Sequence, residues 1–217
     1  MRLSVAIENG CIDSIDNGHW IHANNGTFNA SLAESIKANY TFVILRCPFK
    51  RLVSVFLDKF VAKEPPAWQY RDRMGRNIDL DSLSFREFVY SLQKPGFLRS
   101  DIHWRPQVDF LLYQEYDDYF CFENLPDVTK ELKAKVDFDV VDARDLTQHG
   151  THKLEKVNDG FFTDMDAFDI AIMKRSGRCP DYRTMYDKEL HDIVSRLFQP
   201  DISVYAEKFG GENLLEI

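Results

Sequence analysis

The sequence predicts an α/β domain, a short parallel sheet flanked by helices with a helical C-terminal part, and three observations carry that reading. Tyr40 to Arg46 (YTFVILR) is a short, almost unbroken apolar and β-branched run, the pattern of a strand covered on both faces. From Pro48 onward Phe49, Leu52, Val53, Phe56, Leu57 and Phe60 recur at three- and four-residue steps, an apolar helical stripe. Beyond it, helical patterns alternate with a few short strand candidates as far as Phe209.

Taken in order, residues 1–39 read as an irregular N-terminal segment, rich in Asn and Gly around Asn24 to Asn29, with a short helix over Leu32 to Ala38. The core runs over 40–217, and the whole chain, 1–217, is expected to form a single domain. Pro48 suits a first helical position, where its missing N–H would be unpaired anyway. Glu64 to Asp81, with the Pro65-Pro66 pair, reads as a surface excursion. Ser84 and Glu87 form a capping box for a helix through about Gln93, ended by Pro95-Gly96. Asp101 to Tyr113 mixes polar residues with a helical apolar tail, Tyr119 to Phe122 is a second strand candidate, and Asp127 to Val136 reads as helix. Arg144 to Asn158 lacks periodicity and reads as loop. Helices follow from Asp166 to Lys174, Asp187 to Phe198 and Ile202 to Phe209, the last two broken at Pro200.

Composition bounds the function. The chain has 217 residues, 44% hydrophobic and 13% aromatic, enough for a sizeable core. Against 27 basic residues stand 35 acidic ones, and a net charge of −8 argues against nucleic acid as a partner, which a basic surface would be needed to bind. An anionic ligand must therefore be held locally. No apolar run is long enough to span a bilayer, and Met1 to Asp13 lacks the pattern of an export signal. Cys11, Cys47, Cys121 and Cys179 are far apart and read as free thiols, and no zinc spacing is present. The three Asn-x-Ser/Thr triplets at Asn25, Asn29 and Asn39 matter only in a secretory lumen.

The sharpest motif is Arg46-Cys47-Pro48-Phe49-Lys50-Arg51-Leu52-Val53-Ser54, where strand turns into helix. A helix start offers unpaired N–H groups and the positive end of its dipole, an arginine can fork onto phosphate, and Ser54, two turns on, can add a hydroxyl. The combination reads as an anion pocket. Arg46 and Arg51 fit equally well as cations paired with surface carboxylates.

This segment resembles the carbohydrate sulfotransferases, the family that includes chondroitin and HNK-1 sulfotransferases and related bacterial proteins. Arg46, Pro48, Phe49, Arg51, Leu52, Ser54, Asp58, Lys59 and Phe60 stand where that family has Arg-x-Pro-aromatic-x-Arg-Leu-x-Ser and a closing Asp-Lys-Phe. His103-Trp104-Arg105-Pro106-Gln107 is similar to its His-Trp-Arg-Pro segment, and Phe120 to Leu125 and Tyr186 to Phe209 match more loosely. The resemblance implies a P-loop-NTPase-like sulfotransferase fold and, as co-substrate, 3′-phosphoadenosine 5′-phosphosulfate, whose 3′-phosphate Arg46 and Ser54 would bind with Arg51 beside them. It implies a carbohydrate hydroxyl as acceptor and no metal. A bacterial member would be cytoplasmic, and an animal one would sit in the Golgi lumen behind an anchor. These enzymes open with a Pro-Lys-x-Gly/Ala-x-Thr/Ser loop that cradles the 5′-phosphosulfate, and no such loop lies before Tyr40. The expectation is either a missing N-terminal piece or a degenerate member that holds nucleotide and transfers poorly.

For the transfer itself His103 is the candidate general base, since imidazole titrates near neutrality; a structural histidine beside Trp104 is the other reading. Arg105 is a candidate contact for sulfate or an acidic sugar, or else pairs with Asp101 or Asp109. His149 with His152, and His19 with His22, read as loop histidines rather than metal ligands. Trp68 with Tyr70 either stacks on a sugar or covers the core, and Arg175, Arg178 and Arg183 form a basic cluster. A nucleotide kinase or GTPase is disfavoured, because no Gly-x-x-x-x-Gly-Lys-Ser/Thr is present.

Overall fold

The apolar run after Tyr40 forms strand β1 (Phe42–Leu45), and the stripe behind it forms helix α2 (Pro48–Val55) with Pro48 in the first turn. Both belong to a computed structural model that describes residues 31–140 and 153–216, together with Ser4 and Thr151. The chain groups into two compact units: residues 1–44 with 113–150, and residues 45–112 with 151–217.

In the first unit, helix α1 (Leu32–Ile36) starts at Ser31, whose hydroxyl and the Glu34 carboxylate close a capping box. Strand β1 pairs with β2 (Asp118–Cys121), close to the predicted Tyr119 to Phe122. The ladder is reinforced at its end by Asp117, which accepts from the Thr41 N–H at 2.7 Å and its hydroxyl at 2.8 Å. The helix expected from Asp127 begins at Leu125 and runs to Val136 as α5. Its Val128 and Leu132 pack on Phe120, with Tyr40, Phe42, Ile44 and Phe138 around them. Lys135 and the Tyr40 hydroxyl both bond Asp118, and those contacts hold its carboxyl below the usual range.

The second unit is built on aromatic rings. Helix α2 runs into a π turn (Phe56–Phe60), in which Val61 N–H bonds Phe56 O at 3.0 Å and Glu64 N–H bonds Lys59 O at 2.9 Å. Phe56, Phe60, Tyr70, Phe85, Phe88, Trp104 and Tyr186 are all at most 2% exposed, and neighbouring rings meet in tilted, stacked and edge-on pairs. The capping box at Ser84 and Glu87 is formed, and it starts α4 (Phe85–Leu92).

Three expectations are revised here. Glu64 to Asp81, read as a surface excursion, contains helix α3 (Pro65–Arg73), because a Pro-Pro pair fits a first helical turn, and Ala67 and Tyr70 on one face are buried. The stretch read as loop up to Asn158 ends in strand β3 (Glu155–Val157), which pairs in parallel with β4 (Arg178–Pro180), Glu155 opposite Arg178. His149 and His152, like His19, His22 and Cys11, lie outside the described residues. In place of a helical tail before Tyr113 there is one 3₁₀ turn, Gln107–Phe110.

Helix α6 (Ala167–Arg175) connects the two parallel strands, and α7 (Lys188–Leu197) and α8 (Gln199–Phe209) follow. Pro200 lies in the first turn of α8, where it begins the helix rather than interrupting one. The result is a mixed α/β architecture with short two-stranded sheets flanked by helices. Cys47, Cys121 and Cys179 are buried and form no disulfide among the described residues. No helix among the described residues is long and apolar enough to cross a membrane.

Candidate functional site

Arg46 follows the last residue of β1 and precedes Cys47, the residue that starts α2. Its backbone is clamped at both polar groups by one side chain: Arg46 N–H donates to Gln107 Oε1 at 3.0 Å, and Gln107 Nε2 donates to Arg46 O at 2.8 Å. Gln107 is itself fixed by Asp201, whose two oxygens accept from the N–H groups of Gln107 at 2.7 Å and Val108 at 3.0 Å. Asp201 is 3% exposed, and burial pushes its carboxyl above the ordinary carboxylate range despite those donors and the charge of Arg51. The clamp joins helix α8, the turn after His103 and the strand-to-helix corner.

With its backbone held, the Arg46 guanidinium turns onto the helix. Its Nη2 donates to Ser54 Oγ at 2.7 Å and to the Tyr182 hydroxyl at 3.2 Å, and Ser54 Oγ donates to the same phenol oxygen at 3.3 Å. The three groups close a triangle at Ser54, two turns into α2, with Arg46 reaching it from the residue before the one that starts the helix. Arg46 and Lys156 carry their charges 6.0 and 5.4 Å from the Tyr182 ring centre. Tyr182 also lines an open cleft of about 390 Å³ with Lys50, Asn158, Arg183 and Leu214. Of the basic cluster read from the sequence, Arg183 lines this cleft, while Arg175 and Arg178 are exposed at the end of α6 and in β4.

The other expected residues lie nearby in sequence but do not join the triangle. Arg51 donates to the carbonyl of Ile102 at 3.3 Å, and burial holds its guanidinium below the ordinary range. His103 sits over Asp101: its N–H donates to Asp101 Oδ1 at 2.8 Å, and its Nδ1 lies 2.6 Å from the same oxygen. An ionised carboxylate can only accept, so this contact fixes the proton on Nδ1 and leaves Nε2 as the basic nitrogen. Arg105 pairs with neither Asp101 nor Asp109. It donates to Arg99 O at 2.9 Å and lies 5.8 Å from the Phe110 ring centre, while Asp109 is taken by Arg99 at 2.7 Å. Tyr70 is core, whereas Trp68 is 46% exposed, with Arg71 5.7 Å from its ring centre.

Gln107, Asp201 and Tyr182 are the residues to which sequence reasoning gave no role in the site. Gln107 and Asp201 were visible as members of segments, but their mutual bond spans 94 positions. Tyr182 contacts Arg46 across 136 positions, and nothing local marks it. Gln107→Ala is expected to cost about 1 kcal/mol of stability in chemical denaturation, since a typical net hydrogen bond is worth that much and the second bond partly reforms to water. The same variant should bind the ligand of the corner more weakly without touching it.

No group of three or more His, Cys, Asp or Glu side chains that could hold a metal is present among the described residues. In comparison with known proteins, a family model described as the sulfotransferase family matches residues 12–206. Nothing matches among curated proteins or among solved structures.

Proposed function

Because the chain belongs to the sulfotransferase family, we propose that it transfers a sulfuryl group from 3′-phosphoadenosine 5′-phosphosulfate to a hydroxyl of a carbohydrate acceptor, on a P-loop-NTPase-like sulfotransferase fold. The observation that carries this reading is the 2.7 Å contact between the Arg46 guanidinium and Ser54 Oγ at the strand-to-helix corner. An arginine and a hydroxyl that meet at one point provide donors, one of them charged, for the 3′-phosphate of the donor, with Arg51 adding positive charge nearby.

In the reaction the acceptor oxygen attacks sulfur in line. The bond from sulfur to the bridging phosphate oxygen breaks, leaving adenosine 3′,5′-bisphosphate, and the acceptor proton passes to His103 Nε2. Asp101 supports that step by holding Nδ1–H and by stabilising the imidazolium that forms. Arg105 reaches the sulfate or an acidic group of the acceptor. Its Nε is buried and without a hydrogen-bond partner among the described residues.

A second reading is a nucleotide-binding module without turnover, since the contact of Arg46 with Ser54 accounts for holding a 3′-phosphate and by itself calls for no transfer. One pair of measurements separates the two. Calorimetry is expected to show binding of adenosine 3′,5′-bisphosphate well above that of AMP. Incubation with radiolabelled donor and a panel of oligosaccharides is then expected to yield labelled sugar for the enzyme, and none for the module. Equal affinity for the two nucleotides would remove both readings.

A further inference from the structure

Tyr182 is the one member of the triangle that the motif at the corner does not contain. Its phenol oxygen accepts from Arg46 Nη2 at 3.2 Å and from Ser54 Oγ at 3.3 Å. With the oxygen accepting in both contacts, the phenol's own proton is left for a further acceptor. A hydroxyl that receives two hydrogen bonds and donates none is polarised toward donation. The ring stands between two cations, Arg46 and Lys156, and forms part of the wall of the cleft of about 390 Å³. The phenol thus lies against Arg46 and Ser54 on a residue that also lines the cleft, together with the cations Lys50 and Arg183 and the carboxylates Asp181 and Glu212.

Resting on the donor-binding reading above, we infer that Tyr182 is a third ligand of the 3′-phosphate, donating its phenol proton to one phosphate oxygen while Arg46 and Ser54 hold the others. Three donors on three separate residues match the three terminal oxygens of a phosphate monoester. A ribose 3′-hydroxyl, with one oxygen, leaves at least one of these donors unsatisfied. Tyr182 therefore sets selectivity for nucleotides phosphorylated at the 3′ position over those that are not.

The test is calorimetry of adenosine 3′,5′-bisphosphate and of AMP with wild type, Tyr182→Phe and Arg46→Ala. Tyr182→Phe removes one oxygen, and its melting temperature without ligand confirms that it folds; Tyr182→Leu replaces it in the test if it does not. The expected result is about tenfold weaker binding of the bisphosphate by Tyr182→Phe, the loss of one hydrogen bond to a charged group, with AMP affinity unchanged. Overturning results are a Tyr182→Phe protein that binds the bisphosphate like wild type while Arg46→Ala does not, or one that loses both nucleotides equally. Should Arg46→Ala also bind like wild type, the donor-binding reading itself falls, a different outcome from failure of the inference alone.

Discussion

Arg46→Ala is expected to weaken adenosine 3′,5′-bisphosphate binding by about 2 kcal/mol or more, roughly 30-fold, as read by calorimetry. The guanidinium supplies the only full charge in the triangle; Ser54 and Tyr182 are neutral hydroxyls that orient around it. Removing it leaves the phosphate facing two neutral donors in a partly desolvated corner, where a charge-assisted bond is worth about twice a neutral one. Arg46→Lys should recover only part of the loss, because an ammonium is a point charge without the planar fork that reaches two acceptors at once. The fold should persist in both variants, since the clamp by Gln107 acts on the Arg46 backbone and not on its side chain. An unchanged affinity in Arg46→Ala, with the protein folded, would place the nucleotide elsewhere.

His103→Ala is expected to lower kcat by about 10²- to 10⁴-fold, the range for loss of a positioned general base. Bisphosphate affinity should stay near that of wild type, because the imidazole serves the acceptor hydroxyl and not the 3′-phosphate. Asp101→Asn is the informative companion. The amide can offer its NH₂ group to Nδ1, which moves the ring proton to Nε2 and removes the base without removing the ring. A His103→Ala enzyme with wild-type kcat would assign the proton to another group, and a merely structural histidine would show its cost in melting temperature instead.

The strand-to-helix corner could be read from the sequence because its cues are local. A β-branched run, a proline one residue beyond the turn and an apolar stripe all lie between Tyr40 and Phe60. At Pro65-Pro66 the same local logic gives a surface excursion without naming a helix, although both prolines fit the opening turn of α3. It gave no hint of β3, because Glu155-Lys156-Val157 has no apolar period and owes its strand conformation to Arg178–Pro180 some 20 residues later. For the site, Arg46 and Ser54 were legible at eight residues' spacing, whereas Tyr182 was not. The Asp101 partner of His103 is in view two residues upstream, but the sequence offers it equally to Arg105, since sequence alone does not say which of two neighbours a carboxylate faces.

The interleaved make-up of the second unit bears on how the protein emerges from the ribosome. Its first segment stops at residue 112, and its second begins only at 151. Phe49 and Phe85 must wait for Tyr186 before their rings are covered, and the Tyr186 hydroxyl reaches the Phe49 carbonyl across 137 positions. During synthesis these rings of the N-terminal half therefore lack part of their cover, and the contacts of Arg46 with Tyr182 form only when the last quarter of the chain has been made.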